Sequence, residues 1–209
     1  MNISLHRIGQ GTALLCVLLV LIYIGAVIAT AASGAGFPPK DLYATIIAVV
    51  TIISAPLIVF LWVIIHELTP ASSRVWTRTS LSLIIIFATL TSINRYVQIT
   101  VVRPSLAAGQ TEGLKWFLPY GNPSVMASLE QLAWGFFFGL ALIALAPAFG
   151  RHKLILWTLL VSGTFSLCAI IGQLFNISAL IFIGVMAWGP GFLVLLILLT
   201  LWFNEHKSD

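Results

Sequence analysis

The chain has 209 residues, 60% of them hydrophobic and only 8% charged. A soluble domain carries about 25% charged residues, so this list cannot build a water-facing surface, and the lipid bilayer is the expected solvent and partner. The formal net charge of +4 is too small to point to nucleic acid, and the basic residues read instead as topology signals.

The first apolar run covers 11–32, behind "MNISLHR" and ending in "ATA" at 29–31. It is longer than the roughly 7–15 residues of a secretory signal core, so a retained first membrane span is expected. Five further runs follow at about 43–65, 80–102, 125–147, 154–175 and 179–203. Each reaches the roughly 20 residues that a hydrocarbon core requires. All six are expected to be helices, because backbone in lipid must satisfy its own hydrogen bonds. The connections carry turn-forming residues: "SGAGFPPK" after the first, "TPASSR" after the second and "FGRHK" after the fourth. Only "FNIS" separates the fifth from the sixth, which demands a tight reversal. The expected fold is therefore one all-α membrane domain over 1–209, six transmembrane helices in an antiparallel bundle.

Basic residues orient it. Arg7, Arg74, Arg78, Arg151, Lys153 and Lys207 fall on one face, against Lys40, Arg103 and Lys115 on the other. By the positive-inside rule both termini are cytoplasmic and the protein is multi-pass in a cell inner membrane. Tyr43, Trp62, Trp76, Trp116, Tyr120, Trp157 and Trp202 lie near the predicted interfaces, where aromatic rings serve as anchors.

The third run holds the exception. "TSINRYVQITVVRP" (91–104) places Thr91, Arg95 and Gln98 at the i, i+4, i+7 spacing of one helical face, with Asn94 beside them. If the span ends near Val102, Arg95 lies about 10 Å inside it at ~1.5 Å per residue. The fourth run, "NPSVMASLEQLAWGFFFGL", puts Glu130 at a similar depth from the same side, with Gln131 next to it. Arg95 and Glu130 are the charged residues inside the predicted spans. A guanidinium in lipid is costly, so it faces inward and finds a partner; an Arg95–Glu130 pair oriented by Asn94, Gln98 and Gln131 is expected. Such a pair can simply be interhelical glue, or the arginine can snorkel to the interface. Gln173 and Asn176 end the fifth span on the same face. The longest loop, 103–124, carries Trp116, Phe117 and Tyr120 above it, as a short interfacial helix or lid. Together these residues describe a half-buried polar cavity.

Pro56 lies within the second span and "WGPGF" (188–192) interrupts the sixth; proline kinks helices, and broken helices mark transporter sites and hinges. Cys16 and Cys168 fall in apolar runs, where thiols act as small hydrophobes. The four histidines form no ligand cluster, and "IIHELTP" (64–70) is not HExxH. No metal, cofactor or catalytic residue is expected, and an enzyme is disfavoured.

"SINRYVQITVVRPSL" (92–106) and "NPSVMASLEQLAWGFFFGLALIALAPAF" (122–149) resemble a pattern in small six-span bacterial integral membrane proteins, a family left uncharacterised. The resemblance covers spans three to six, brings no activity or site with it, and implies an inner-membrane location. The leading expectation from the residues is a protein that binds or transports a small, anionic or amphipathic molecule, lipid included, through an outer-leaflet cavity. Arg95 would anchor its anionic or carbonyl group and Glu130 act as counter-ion. Asn94, Gln98, Gln131 and Gln173 would form the hydrogen-bonding wall, with Tyr120 in the loop above. The alternatives are an accessory or assembly subunit whose polar stripe is only helix glue, and an intramembrane lipid-modifying enzyme.

Overall fold

The computed structural model describes residues 4–33, 41–118 and 123–205. Among these residues all regular structure is helical. Six helices are long and apolar enough to cross a membrane: Leu5–Ala32, Leu42–Leu68, Ala71–Ala107, Val125–Phe149, Lys153–Phe175 and Ser178–Glu205, here spans one to six. The chain is a multi-pass membrane protein. Leu14, Leu18, Ile53, Phe60, Phe165 and Leu201 stay exposed on their helices, as lipid-facing side chains do.

Capping and backbone bonding set the helix ends, so several differ from those read by hydropathy. Span one starts at Leu5, not near 11, because the Ser4 hydroxyl caps it by accepting from the Arg7 N–H at 3.4 Å. Span three departs most. Expected over 80–102, it runs from Ala71 to Ala107, so Arg74 and Arg78 lie on a helix and not in a loop. A short 3₁₀ turn, Ala71–Ser73, leads directly into Arg74–Val97. Charge ends an apolar run but does not end a helix, since arginine is a good helix former. Beyond Val97 the same helix widens into a π turn at Gln98–Val102 and closes with Arg103–Ala107.

The "FNIS" reversal is made by one residue. Asn176 adopts the left-handed conformation (φ 55°) at the end of span five, which asparagine tolerates, and the Ile177 N–H reaches back to the Gly172 carbonyl at 2.7 Å. The "WGPGF" segment does not break span six. The helix widens into a π turn over Ala187–Gly191, which takes up Pro190 without a gap. Pro56 likewise sits inside a continuous α-helix.

Every span packs on the next in the chain, span three on span four included, and span one closes against the end of span six. The core between them holds Trp62, Phe87, Phe138, Leu142, Phe192 and Phe203, all essentially inaccessible. Spans four and five approach through glycine: a Cβ on Gly163 would stand 2.7 Å from the Gly139 carbonyl oxygen. Small residues at such crossings are the usual packing solution in lipid. A buried hydrogen-bond chain ties three spans together. The Trp62 indole N–H donates to the Ser80 hydroxyl at 2.8 Å, and Ser80 donates to the Ala141 carbonyl at 2.6 Å.

Candidate functional site

Arg95 and Glu130 meet. The Arg95 guanidinium donates to one carboxylate oxygen of Glu130. The Asn94 amide donates to the other at 2.9 Å, and to the Met126 carbonyl, also at 2.9 Å. Both oxygens of Glu130 and both Asn94 N–H groups are thus engaged. Arg95 is 5% exposed and Glu130 21%, which at this position means exposure to the bilayer or to the loop above.

The network continues upward. Gln98, one turn along span three, donates to the Asn94 side-chain oxygen at 3.4 Å and to the Phe117 carbonyl at 3.2 Å. That carbonyl belongs to the loop, just past the short 3₁₀ turn Leu114–Trp116. Gly113 enters this turn with φ +70°, a backbone region glycine occupies without strain, and Leu114 is buried as its anchor. The loop therefore bonds to the ion pair through two amide side chains.

Two of the chain's π segments flank the pair. One begins at Gln98, three residues after Arg95, and the other begins at Gln131, directly after Glu130 and running to Phe138. Such segments leave backbone bonds less favourable than in an α-helix and recur at functional sites. The third, in span six, carries Trp188, whose ring lies 6.3 Å from that of Trp134.

Inward of the pair lie polar atoms without partners. Thr91, one turn before Arg95, is fully buried, and its hydroxyl bonds to nothing. Thr12, Thr30, Thr51 and Thr200 instead each donate to the carbonyl four residues back, while the Thr45 and Ser166 hydroxyls are buried without partners as Thr91 is. The Gln131 side-chain oxygen and the Trp134 indole nitrogen are likewise buried without partners. Trp134 packs edge-on against Phe87 at 4.6 Å, so Thr91 is bracketed by that contact on one side and by the ion pair on the other. A buried polar group left unpaired costs about 1–3 kcal/mol.

The expected site residues divide. Arg95, Glu130, Asn94 and Gln98 form one connected network. Gln131 is next to Glu130 but makes no bond to it through its side-chain oxygen. Gln173 is half-buried and forms no hydrogen bond with the network, and Asn176 is an exposed helix cap. Tyr120 lies outside the described residues. Sequence reasoning did not find the Met126 and Phe117 carbonyls, which have no residue-type signal, nor Trp134, read only as part of an apolar run. A separate cleft of about 350 Å³ opens between the loop and the start of span four, lined by Trp116, Pro123, Ser124, Val125, Ser128, Leu129 and Leu132. Of the expected ligand residues, none of the six that are described lines it. Among the described residues, no three of His, Cys, Asp and Glu gather as a metal site.

Compared with known proteins, the chain matches no protein-family model, no curated protein and no solved structure.

Proposed function

We propose that this is an inner-membrane protein of antiparallel spans with both termini in the cytoplasm, which binds or moves a small anionic or amphipathic molecule at the Arg95–Glu130 network. Six basic residues against three support the orientation, which puts the network in the outer half of the bilayer. The observation that carries the binding role is that a charged network sits beside unspent hydrogen-bonding capacity. Thr91, Gln131 and Trp134 bury unpaired polar atoms beside the pair, which a contact serving only to lock helices does not require. An arriving carboxylate or carbonyl competes with Glu130 for the Arg95 guanidinium, Asn94 retains Glu130, and the polar atoms inward receive the remainder of the ligand. Gln98 connects occupancy of the site to the loop through the Phe117 carbonyl.

A second reading, helix glue in an accessory subunit, is favoured by one observation: both oxygens of Glu130 are already engaged. A thermal-unfolding experiment separates the two. Octanoate, a small amphipathic anion, raises the melting temperature of the detergent-purified protein if the site binds anions, and does so neither in Arg95→Gln nor in the charge-swapped pair Arg95→Glu/Glu130→Arg. Under the glue reading octanoate shifts none of them, and the swapped pair recovers the stability that either single change removes.

A further inference from the structure

The cleft beside the loop has a chemistry of its own. Its walls are Trp116 on the loop and Val125, Leu129 and Leu132 on span four. These three follow the i, i+4, i+7 spacing of one helical face, so the apolar wall runs down the outside of the span from its first turn. Trp116, Val125 and Leu132 are exposed. The upper end is polar and firmly built. Ser124 donates to the Leu118 carbonyl at 2.6 Å, with the Trp116 carbonyl 3.3 Å from the same hydroxyl, and Ser128 donates to the Ser124 carbonyl at 3.0 Å. The Ser124 bonds hold the loop against the start of span four. The Lys115 ammonium stands 5.2 Å from the centre of the ring of Trp116, which lines the cleft, within cation–π range. Lys115 is exposed and has no carboxylate partner among the described residues, so its N–H donors remain for a ligand.

We infer that this cleft is a binding groove for an anionic phospholipid, with the phosphate-bearing headgroup at Lys115 and Trp116 and one acyl chain along Val125, Leu129 and Leu132. A cation beside the aromatic ring that lines the cleft and an apolar wall along a span complement such a lipid from head to tail. A zwitterionic lipid fits the wall but gains less from the lysine. A water-soluble anion gains from the lysine but leaves the wall unused. At about 350 Å³ the cleft is in the range of ordinary ligand sites, roughly 300–1,000 Å³. The groove shares no residue with the ion-pair network, so it stands whether or not that network binds a ligand.

The test uses the full-length protein in lipid nanodiscs and the fluorescence of Trp116, isolated as the difference between the protein and its Trp116→Phe variant. Brominated lipids quench a tryptophan they touch. Brominated phosphatidylglycerol, at a low fraction in a phosphatidylcholine background, is expected to quench Trp116 at about fivefold lower concentration than brominated phosphatidylcholine, the factor one basic residue contributes at an anionic surface. Lys115→Gln, an exposed change that leaves the fold intact, is expected to abolish the preference, and Ser128→Phe, which fills the groove, to reduce quenching by both lipids. Equal quenching by the two lipids, or a preference that survives Lys115→Gln, overturns the proposal. Loss of the preference on adding soluble glycerol phosphate also overturns it, by assigning the site to a free anion.

Discussion

At the scale of single residues, the molecule is defined by how few polar groups it buries and how differently they are treated. Arg95 and Glu130 are joined, and removing either charge strands the other in a poorly hydrated place. Breaking a buried pair in this way costs about 3–5 kcal/mol, so Glu130→Gln and Arg95→Gln are each expected to lower thermal stability by that order. Replacing both by apolar residues of similar size is expected to restore much of it, since a buried pair adds little net stability over a well-packed apolar one. Stability near wild type in either single variant would show that the pair is solvated in solution. Ser80 makes a cleaner case, remote from the proposed site. Ser80→Ala leaves the Trp62 indole N–H without its acceptor and is expected to cost about 1–3 kcal/mol in a denaturation measurement. The sequence made the Arg95–Glu130 pair legible because charge inside an apolar run has few explanations. It did not reveal the doubly bonded Asn94, because the Met126 carbonyl it grips is a property of the fold.

At the scale of helices, hydropathy located six spans but not their ends or their internal form. Span three was truncated by nine residues at its start in the sequence reading, 80 against Ala71, because the arginines of its first turns look like loop. Two of the three π segments among the described residues leave no trace in the sequence either. Gln98–Val102 and Gln131–Phe138 contain no proline, and their apolar composition suits an α-helix equally well. Only the third, around Pro190, had a visible cause, and it was read as a break. Close packing of spans four and five is the element-level feature most open to challenge. Gly163→Val places a side chain against the Gly139 carbonyl and the Ile143 side chain. It is expected to destabilise the protein by about 1–3 kcal/mol through overpacking, measured as a fall in melting temperature that Gly11→Val, in open space, does not produce.

At the scale of the whole molecule, the apolar composition and the six helices make a membrane protein, and the distribution of arginine and lysine supports the direction proposed for it. The proposed cytoplasmic termini put the segment between spans three and four on the opposite side. A reporter phosphatase inserted at Gly113 is therefore expected to be active, and a green fluorescent protein fused after the last residue to fluoresce. The reverse pattern would invert the proposed orientation while leaving every contact described above in place. Orientation matters because it decides which compartment would supply a ligand to the proposed site at Arg95 and Glu130.

Access is the most direct test of that network as a binding site. Thr91→Cys, in a background with Cys16 and Cys168 replaced by serine, places a thiol just inward of the ion pair, where the wild-type side chain is fully buried. If small anions reach the network from outside, a membrane-impermeant, negatively charged thiosulfonate modifies this cysteine in intact cells faster than its positively charged counterpart, and Arg95→Gln erases the difference. An unreactive thiol, or a charge preference unchanged by Arg95→Gln, would leave the pair as a joint between helices and nothing more.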